Sequence, residues 1–171
     1  MLSTTANAQS ISDTALGDWY VNRIIVDRKP LLLLVSSASL LPMLLPGRDV
    51  RTLPVRLASL VEVRLTRLSV DVRAISAEKS AMMPVEIWPT SDRSVLGIMV
   101  DFAKSVPHYL EAGYWSESTL EFVEDRLAET PCHATRSFEQ VIFPKQKARE
   151  LLTAKWLPNP PLQPTAENRS G

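Results

Sequence analysis

The chain is poor in the residues that build covalent cross-links and metal clusters. Its 171 residues include one cysteine, Cys132, and two histidines, His108 and His133. A single thiol excludes an internal disulfide and a cysteine-based metal cluster, because each needs at least two thiols. No HExxH or HxH spacing involves the histidines, so the sequence predicts neither a metal site nor a cofactor. Such low cysteine usage is typical of the cytoplasm, where we expect the protein to reside.

The chain also has few glycines and no net charge. Five glycines without a GxGxxG or GxxxxGKS pattern exclude the common phosphate-binding loops. Lysine plus arginine number 19 and aspartate plus glutamate number 19, so no overall field attracts nucleic acid or an anionic membrane. The most apolar stretch, 31–45, is broken by serines and Pro42, and it is shorter than the ~20 apolar residues that span a bilayer. We therefore expect no membrane partner, and nucleic acid only at a local basic patch.

The composition nevertheless predicts a folded domain. Hydrophobic residues form 45% of the chain and charged residues 22%, a balance that buries enough surface to offset chain entropy. The Ser/Thr/Ala-rich residues 1–15 are predicted to be a flexible leader, and the proline-rich residues 157–171 a disordered tail. Residues 16–156 are predicted to form a single domain.

Two apolar runs on either side of a turn predict a β-hairpin. WYVNRIIV (19–26) is rich in β-branched and aromatic residues, DRKP supplies the turn, and LLLLVS follows. The unbroken apolar run 31–35 indicates a strand covered on both faces. LLPMLLPG predicts a third strand, at an edge or a bulge because Pro42 cannot donate to a neighbour. MMPVEIW (82–88) predicts one more strand.

Apolar residues at helical spacing predict four helices. The first, 54–68, has an apolar stripe, although VEVRL and SVDVR in the same region also alternate as strands do. A second runs from a cap at Ser91 or Asp92 to Val106, a third covers 116–128 and a fourth 145–155. The predicted fold class is therefore α+β: a small antiparallel sheet, made of the hairpin plus one or two further strands, packed against three or four helices in a single domain.

Four sequence blocks carry a resemblance to a known family. In order, they read LGDWYVN, LLLLVSSASLLPMLLP, TSDRSVLGIMVDFA and LAETPC. Over about 16–152 the chain resembles a family of small bacterial domains of unknown function, and the resemblance implies no activity, cofactor or catalytic residue. Relatives carry a further strand-like segment before the GDWY block, so the sheet is expected to have an open edge here if that segment pairs with it. The tail PLQPTAENRSG resembles the ends of open reading frames in mobile genetic elements.

The strongest site candidate lies on the predicted helix 92–106. Arg93, Gly97 and Asp101 recur every four residues and so share one side of the helix, where Gly97 leaves room for a ligand or another backbone. Two interpretations are open. The residues form a binding site, or Arg93 and Asp101 pair with Asp18 or Arg23 and fix the helix to the hairpin. The structural interpretation is favoured because ion-pair networks produce the same pattern as active sites.

The GDWY block holds two further binding candidates, Asp18 and Trp19. Asp18 can accept hydrogen bonds from backbone donors where the strand begins. Trp19 and Tyr20 are expected on opposite faces of the strand, one in the core and one over the sheet edge. Core packing is favoured over binding for Trp19, because aromatic side chains dominate core burial.

A thiol dyad and a basic face are weaker candidates. His108 would have to approach Cys132 in the fold to act as its base. The first helix has a basic side that suits nucleic-acid phosphates, but no aromatic residues interleave with it, and a solvent-exposed face is favoured. The arginines of that side are Arg51, Arg56, Arg64 and Arg67.

Two functional hypotheses follow from these patterns. The favoured one is a non-catalytic binding or regulatory module that recognises a protein partner, or a second copy of the chain, through the hairpin edge and nearby apolar surface. It is favoured because no nucleophile, metal or phosphate signature is present. The alternative is a small hydrolase or nuclease in which Asp18 and Asp101 hold a metal ion and Arg93 stabilises developing negative charge.

Overall fold

A three-stranded antiparallel sheet lies at the centre of the molecule. The computed structural model describes residues 12–133 and 140–158. The strands are β1 (Trp19–Val26), β2 (Lys29–Ser36) and β3 (Pro42–Pro46), in the order β1-β2-β3. The predicted hairpin and third strand are confirmed, and β3, which contains Pro42, lies at an edge of the sheet as expected.

Helices cover both faces of this sheet, and the predicted α+β class in one domain is confirmed. The helices of the described residues are α1 (Leu53–Arg67), α2 (Val72–Ala81), α3 (Arg93–Ser105), α4 (Glu117–Ala128) and α5 (Pro144–Trp156). A short ribbon pairs β4 (Cys132–His133) with β5 (Val141–Ile142). The four helices predicted from apolar spacing correspond to α1, α3, α4 and α5, and Asp92 caps α3 by accepting from the N–H of Ser94 at 2.8 Å.

The hairpin turn consists of Asp27 and Arg28. Both residues have positive φ angles, 49° and 63°, as a type I′ turn requires. This turn matches the right-handed twist of the strands, so β1 and β2 pair without a bulge from Val26↔Lys29 to Trp19↔Ser36.

β2 is buried on both faces and separates two hydrophobic cores. Leu32 and Leu34 belong to a core that includes α1, α2 and α5. The other face belongs to a core that includes α3 and α4, and the β2 residues on that side are Leu31, Leu33 and Val35. Because helices cover both faces, the strand carries no polar alternation, and the prediction of a doubly covered strand is confirmed.

The predicted strand at 82–88 is wrong, because residues 82–92 connect α2 to α3 without regular structure. Met82 packs in the core of α1, whereas Val95 packs in the core of α3, so the connection passes from one face of the sheet to the other. A chain that crosses a sheet edge cannot run alongside a strand, and Pro84 and Pro89 lack the N–H that pairing would need. We call residues 82–92 the crossover segment.

The sequence patterns above do not predict α2, although its signals are present. Asp71 is its N-cap and accepts a hydrogen bond from the N–H of Arg73 at 2.8 Å. Its buried residues are Ala74, Ile75 and Glu78. An acidic residue in the inward-facing stripe hides the helical period, so VRAISAEKSA does not look amphipathic.

The predicted leader and tail fall mainly outside the described residues, which begin at residue 12 and end at residue 158. Within that range Ala15 and Leu16 are buried in the core of α1. No helix of the described chain combines the length and the hydrophobicity needed to cross a membrane.

Candidate functional site

The outer edge of β3 exposes no free backbone donor. In a hairpin with a two-residue turn, the residues that flank the turn form a hydrogen-bonded pair, which sets the alternation along the whole ladder. By that alternation, the backbone N–H and C=O positions of residues 42, 44 and 46 of β3 point away from β2. Pro42 and Pro46 have no N–H, and the N–H of Leu44 donates to Oε1 of Glu124 at 2.7 Å. This edge is therefore closed to further strands.

Within residues 12–133 and 140–158, the outer edge of β1 is not protected in this way. The same alternation turns the N–H and C=O groups of Val21, Arg23 and Ile25 away from β2. Among the described strands β1 pairs with β2 alone. The side chains of Val21 and Ile25 share one face and are 37% and 65% exposed. Free donors and acceptors beside exposed apolar side chains form a template for another strand.

The crossover segment limits this open edge at the start of β1. Residues 88–90 lie against Trp19 and Tyr20 around a cavity of about 110 Å³. The N–H of Asp92 also donates to Oη of Tyr20 at 3.3 Å. Among the described residues, the part of β1 that stays open is therefore 21–25, which is roughly 17 Å of extended chain at about 3.4 Å per residue.

A groove opens where the crossover segment meets β1. The 110 Å³ cavity adjoins one of about 250 Å³, and the residues that line both are Asp18, Trp19, Leu57, Glu86 and Trp88. We call these five residues the Trp19 groove. Nε1 of Trp88 donates to Oε2 of Glu86 at 3.2 Å, which holds that ring beside a carboxylate. In the described part of the chain, no lysine or arginine lines either cavity.

The tryptophans of the chain differ in their charged neighbours. Two of them have a lysine Nζ within 4.5 and 5.0 Å of the ring centroid: Lys29 over Trp115 and Lys155 over Trp156. No described cation lies over Trp19 or Trp88. Nε1 of Trp19 is buried without an acceptor among the described residues, so packing rather than a hydrogen bond holds this ring.

The structure separates the five residues proposed from the sequence. Asp18 and Trp19 line the Trp19 groove, whereas Arg93, Gly97 and Asp101 lie on the exposed side of α3 and line neither cavity. A Cβ built on Gly97 would meet no atom within 4 Å. The room left by this glycine is therefore open space, and no described backbone approaches it.

The prediction that ion pairs fix α3 to the hairpin is wrong within the described chain. Neither Arg93 nor Asp101 forms an ion pair with Asp18 or Arg23 there. Apolar burial holds the helix against the sheet instead. The buried residues of α3 are Val95, Ile98, Met99 and Phe102.

The surroundings of Cys132 do not favour a reactive thiol. Burial, and after it the charge of Asp101, raises the pKa of Cys132 to about 11, so the thiol stays protonated near neutral pH. Its Sγ donates to the carbonyl oxygen of Thr130 at 3.5 Å, and no contact joins it to His108 in the described structure. Residues 12–133 and 140–158 also contain no group of three or more metal-ligating side chains.

Comparison with protein families gives an identification. The family described as a domain of unknown function, DUF6933, matches residues 2–147 of the 171-residue chain. The chain belongs to the DUF6933 family. The resemblance to an uncharacterised domain family, drawn from four sequence blocks, is thereby confirmed. No curated protein and no solved structure matched the chain.

In this DUF6933 domain, the basic side of α1 is a free surface only in part. Arg64 is 2% exposed; it contacts Asp125 and donates to the carbonyl oxygen of Glu124 at 3.2 Å. Arg67 donates to the Glu124 carboxylate at 2.6 Å and lies 3.1 Å from Asp125. The prediction of a solvent-exposed arginine face is wrong for Arg64, because these residues join α1 to α4 through an internal ion-pair network.

The two carboxylates of this network differ in pKa. Burial is the largest effect on Glu124 and raises its pKa, despite Arg64, the Leu44 N–H and Arg67. Burial opposes the ionisation of Asp125 as well, but the hydrogen bond and charge of Arg64, together with Arg67, outweigh it and lower the pKa of Asp125. One acid therefore binds its proton more tightly on folding, and the other less tightly.

Replacing Asp125 with asparagine is expected to make the free energy of unfolding depend less on pH in the acidic range. A carboxyl whose pKa is lowered in the folded state stabilises the fold above its ordinary value of 3.8 and loses this effect as the pH falls through the lowered value. Glu124→Gln is the matched control, because a raised pKa has the opposite sign. Without Glu124, stability should rise more steeply with pH above about 4.5. Denaturant unfolding between about pH 2 and pH 7 measures both slopes, and parallel curves for all three proteins would contradict the assignment.

The most buried acid among the described residues was not singled out by the sequence. Glu78 of α2 is 0% exposed. Its carboxylate accepts from the N–H groups of Ala15 and Leu16 at 2.8 and 2.9 Å, and from Nε1 of Trp156 at 2.7 Å. It therefore joins the segment before β1 to the end of α5. The only sequence signal is a glutamate at an inward position of α2, four residues after Ala74.

Proposed function

We propose that this domain is a non-catalytic binding module that holds an extended segment of a partner protein beside β1. The observation that carries the proposal is the difference between the two sheet edges. Two prolines and Glu124 close the edge of β3, whereas Val21, Arg23 and Ile25 present outward N–H and C=O groups on β1. Strand addition of this kind supplies affinity through main-chain hydrogen bonds.

Side chains support the same location. Val21 and Ile25 are exposed, and across the ladder Val21 pairs with the buried Leu34 of β2. An added strand would cover these apolar side chains, and each Å² removed from water contributes about 25 cal/mol. We also propose the cytoplasm as the location, because a single thiol suits a reducing compartment.

Phage-displayed extended peptides of about ten residues test the proposal with two variants of Val21. Val21→Pro removes one outward N–H but leaves the β1–β2 ladder intact, since that N–H points away from β2. Val21→Thr is the matched control, because it keeps the N–H and nearly the same shape. We expect peptides selected on the parent to bind Val21→Thr with a similar Kd and Val21→Pro about tenfold more weakly, the loss of about one hydrogen bond.

Hydrogen–deuterium exchange then locates the contact. In the complex, the amides of Val21, Arg23 and Ile25 should become protected. Failure to select any peptide, or equal binding by both variants, would contradict the proposal. If the protein forms a dimer and Val21→Pro abolishes it, the segment beside β1 belongs to a second copy of the chain and not to a different partner protein. These amides could also be protected in the absence of peptide. If deletion of residues 2–11 then removes that protection, the chain covers its own edge.

A further inference from the structure

The Trp19 groove continues the open edge of β1. Asp18 and Trp19 of the groove are separated from the open residues 21–25 only by Tyr20, which lines the smaller cavity. A segment that pairs with β1 along its open length therefore meets the groove at one end. The side chain at that end would lie between the start of β1 and the crossover segment.

The lining of the groove suits a positively charged group. It combines the rings of Trp19 and Trp88 with the carboxylates of Asp18 and Glu86. Tryptophan is the aromatic residue that binds cations best over its face, and a neighbouring carboxylate adds Coulomb attraction. Asp18 is exposed and has no ion-pair partner among the described residues.

The domain contains the same arrangement twice with its cation in place. Nε1 of Trp115 donates to Asp27 at 2.7 Å, and Lys29 lies over that ring. Likewise Nε1 of Trp156 donates to Glu78 at 2.7 Å, and Lys155 lies over that ring. Trp88 donates to Glu86 in the same manner, but no described lysine or arginine lies over its ring.

Building on the proposed function, we propose that the segment bound at β1 carries a lysine or arginine whose cationic group lies over Trp88, beside Asp18. The partner is therefore an extended segment with a basic residue at the end that reaches the Trp19 groove. Main-chain pairing along 21–25 provides the register, and the groove selects the charge.

A small probe tests the groove independently of the strand edge. The probe is N-acetyl-arginine methylamide, and its citrulline counterpart is the uncharged control of nearly equal shape. In ¹H–¹⁵N spectra, the arginine probe should shift the indole signals of Trp19 and Trp88 and leave those of Trp115 and Trp156 unchanged. The citrulline probe should shift none. Added salt should weaken the effect, because the groove is open to solvent.

Two aspartate variants make this test specific. Asp18→Asn should weaken binding of the arginine probe about three- to tenfold, whereas Asp101→Asn, an exposed carboxylate outside the groove, should leave it unchanged. Val21→Pro should also leave it unchanged, because the probe forms no strand. Equal shifts with both probes, no shift at all, or no effect of Asp18→Asn would overturn the proposal.

The peptides selected on the parent provide the second measurement. We expect a basic residue at one fixed position, and its replacement by citrulline should weaken binding by the same factor as Asp18→Asn. Selected peptides without a basic residue would overturn this inference and leave pairing with β1 intact. If no peptide is selected, the proposed function fails, while the arginine probe still reports on the groove.

Discussion

Replacing Glu78 with alanine is expected to lower the free energy of unfolding by about 3–5 kcal/mol. The carboxylate is 0% exposed and accepts three hydrogen bonds, from the buried N–H groups of Ala15 and Leu16 and from the indole of the partly buried Trp156. Each donor left unpaired away from water costs about 1–3 kcal/mol. Denaturant unfolding followed by tryptophan fluorescence measures the change.

Two further variants separate the hydrogen bonds from the helix that carries them. Glu78→Gln keeps the shape and one acceptor oxygen but turns its amide NH₂ toward a donor. We therefore expect it to lower the free energy of unfolding by about 1–3 kcal/mol. Lys79→Ala changes the neighbouring, partly exposed residue of α2. It should lower the free energy of unfolding by less than about 1 kcal/mol, since its ion pair with Glu62 is partly open to solvent. Faster exchange of the Ala15 and Leu16 amides in Glu78→Gln would confirm the local effect. If Glu78→Ala lowers the free energy of unfolding by less than about 1 kcal/mol, Glu78 does not anchor the segment before β1.

Truncation of Arg64 is expected to destabilise the domain by a comparable amount, about 3–5 kcal/mol. Arg64→Met keeps part of the apolar stem but removes the charge that contacts Asp125 and the Glu124 carbonyl. Glu124 would then remain buried with Arg67 as its main cationic partner. An uncompensated buried charge is more costly than the net benefit of the original pair.

A double-mutant cycle distinguishes this explanation from a loss of packing alone. Glu124→Gln removes the negative charge but keeps an acceptor for the N–H of Leu44. We therefore expect Arg64→Met combined with Glu124→Gln to be more stable than the sum of the two single losses implies, by about 1–3 kcal/mol. Arg56→Met is the surface control on the same helix, because Arg56 is about half exposed. Additive losses in the cycle would show that the network is not coupled.

The candidate site was predictable only in part. Asp18 and Trp19 are correctly expected near the start of β1, because the strand begins within the GDWY block. Glu86 and Trp88 are missing from that prediction, since MMPVEIW has the composition of a strand. As a strand, it would have paired in the sheet instead of crossing the edge beside Trp19. The ion pairs expected for α3 were wrong for a similar reason: helical spacing shows which residues share a side, but not whether that side meets another element.

Local signals in the sequence were sufficient for the hairpin, β3, α1, α3, α4 and α5, because turns, caps and apolar periods act between residues a few positions apart. The doubly buried strand could also be inferred, since an unbroken apolar run leaves no polar face for water.

Only the tertiary structure decided which sheet edge remains open, which arginine is buried and which carboxylate anchors the segment before β1. Each of these depends on contacts between distant residues, such as Leu44 with Glu124 and Ala15 with Glu78. No local preference encodes such a contact, because a single carboxylate can face solvent or accept a buried N–H depending on what packs against it.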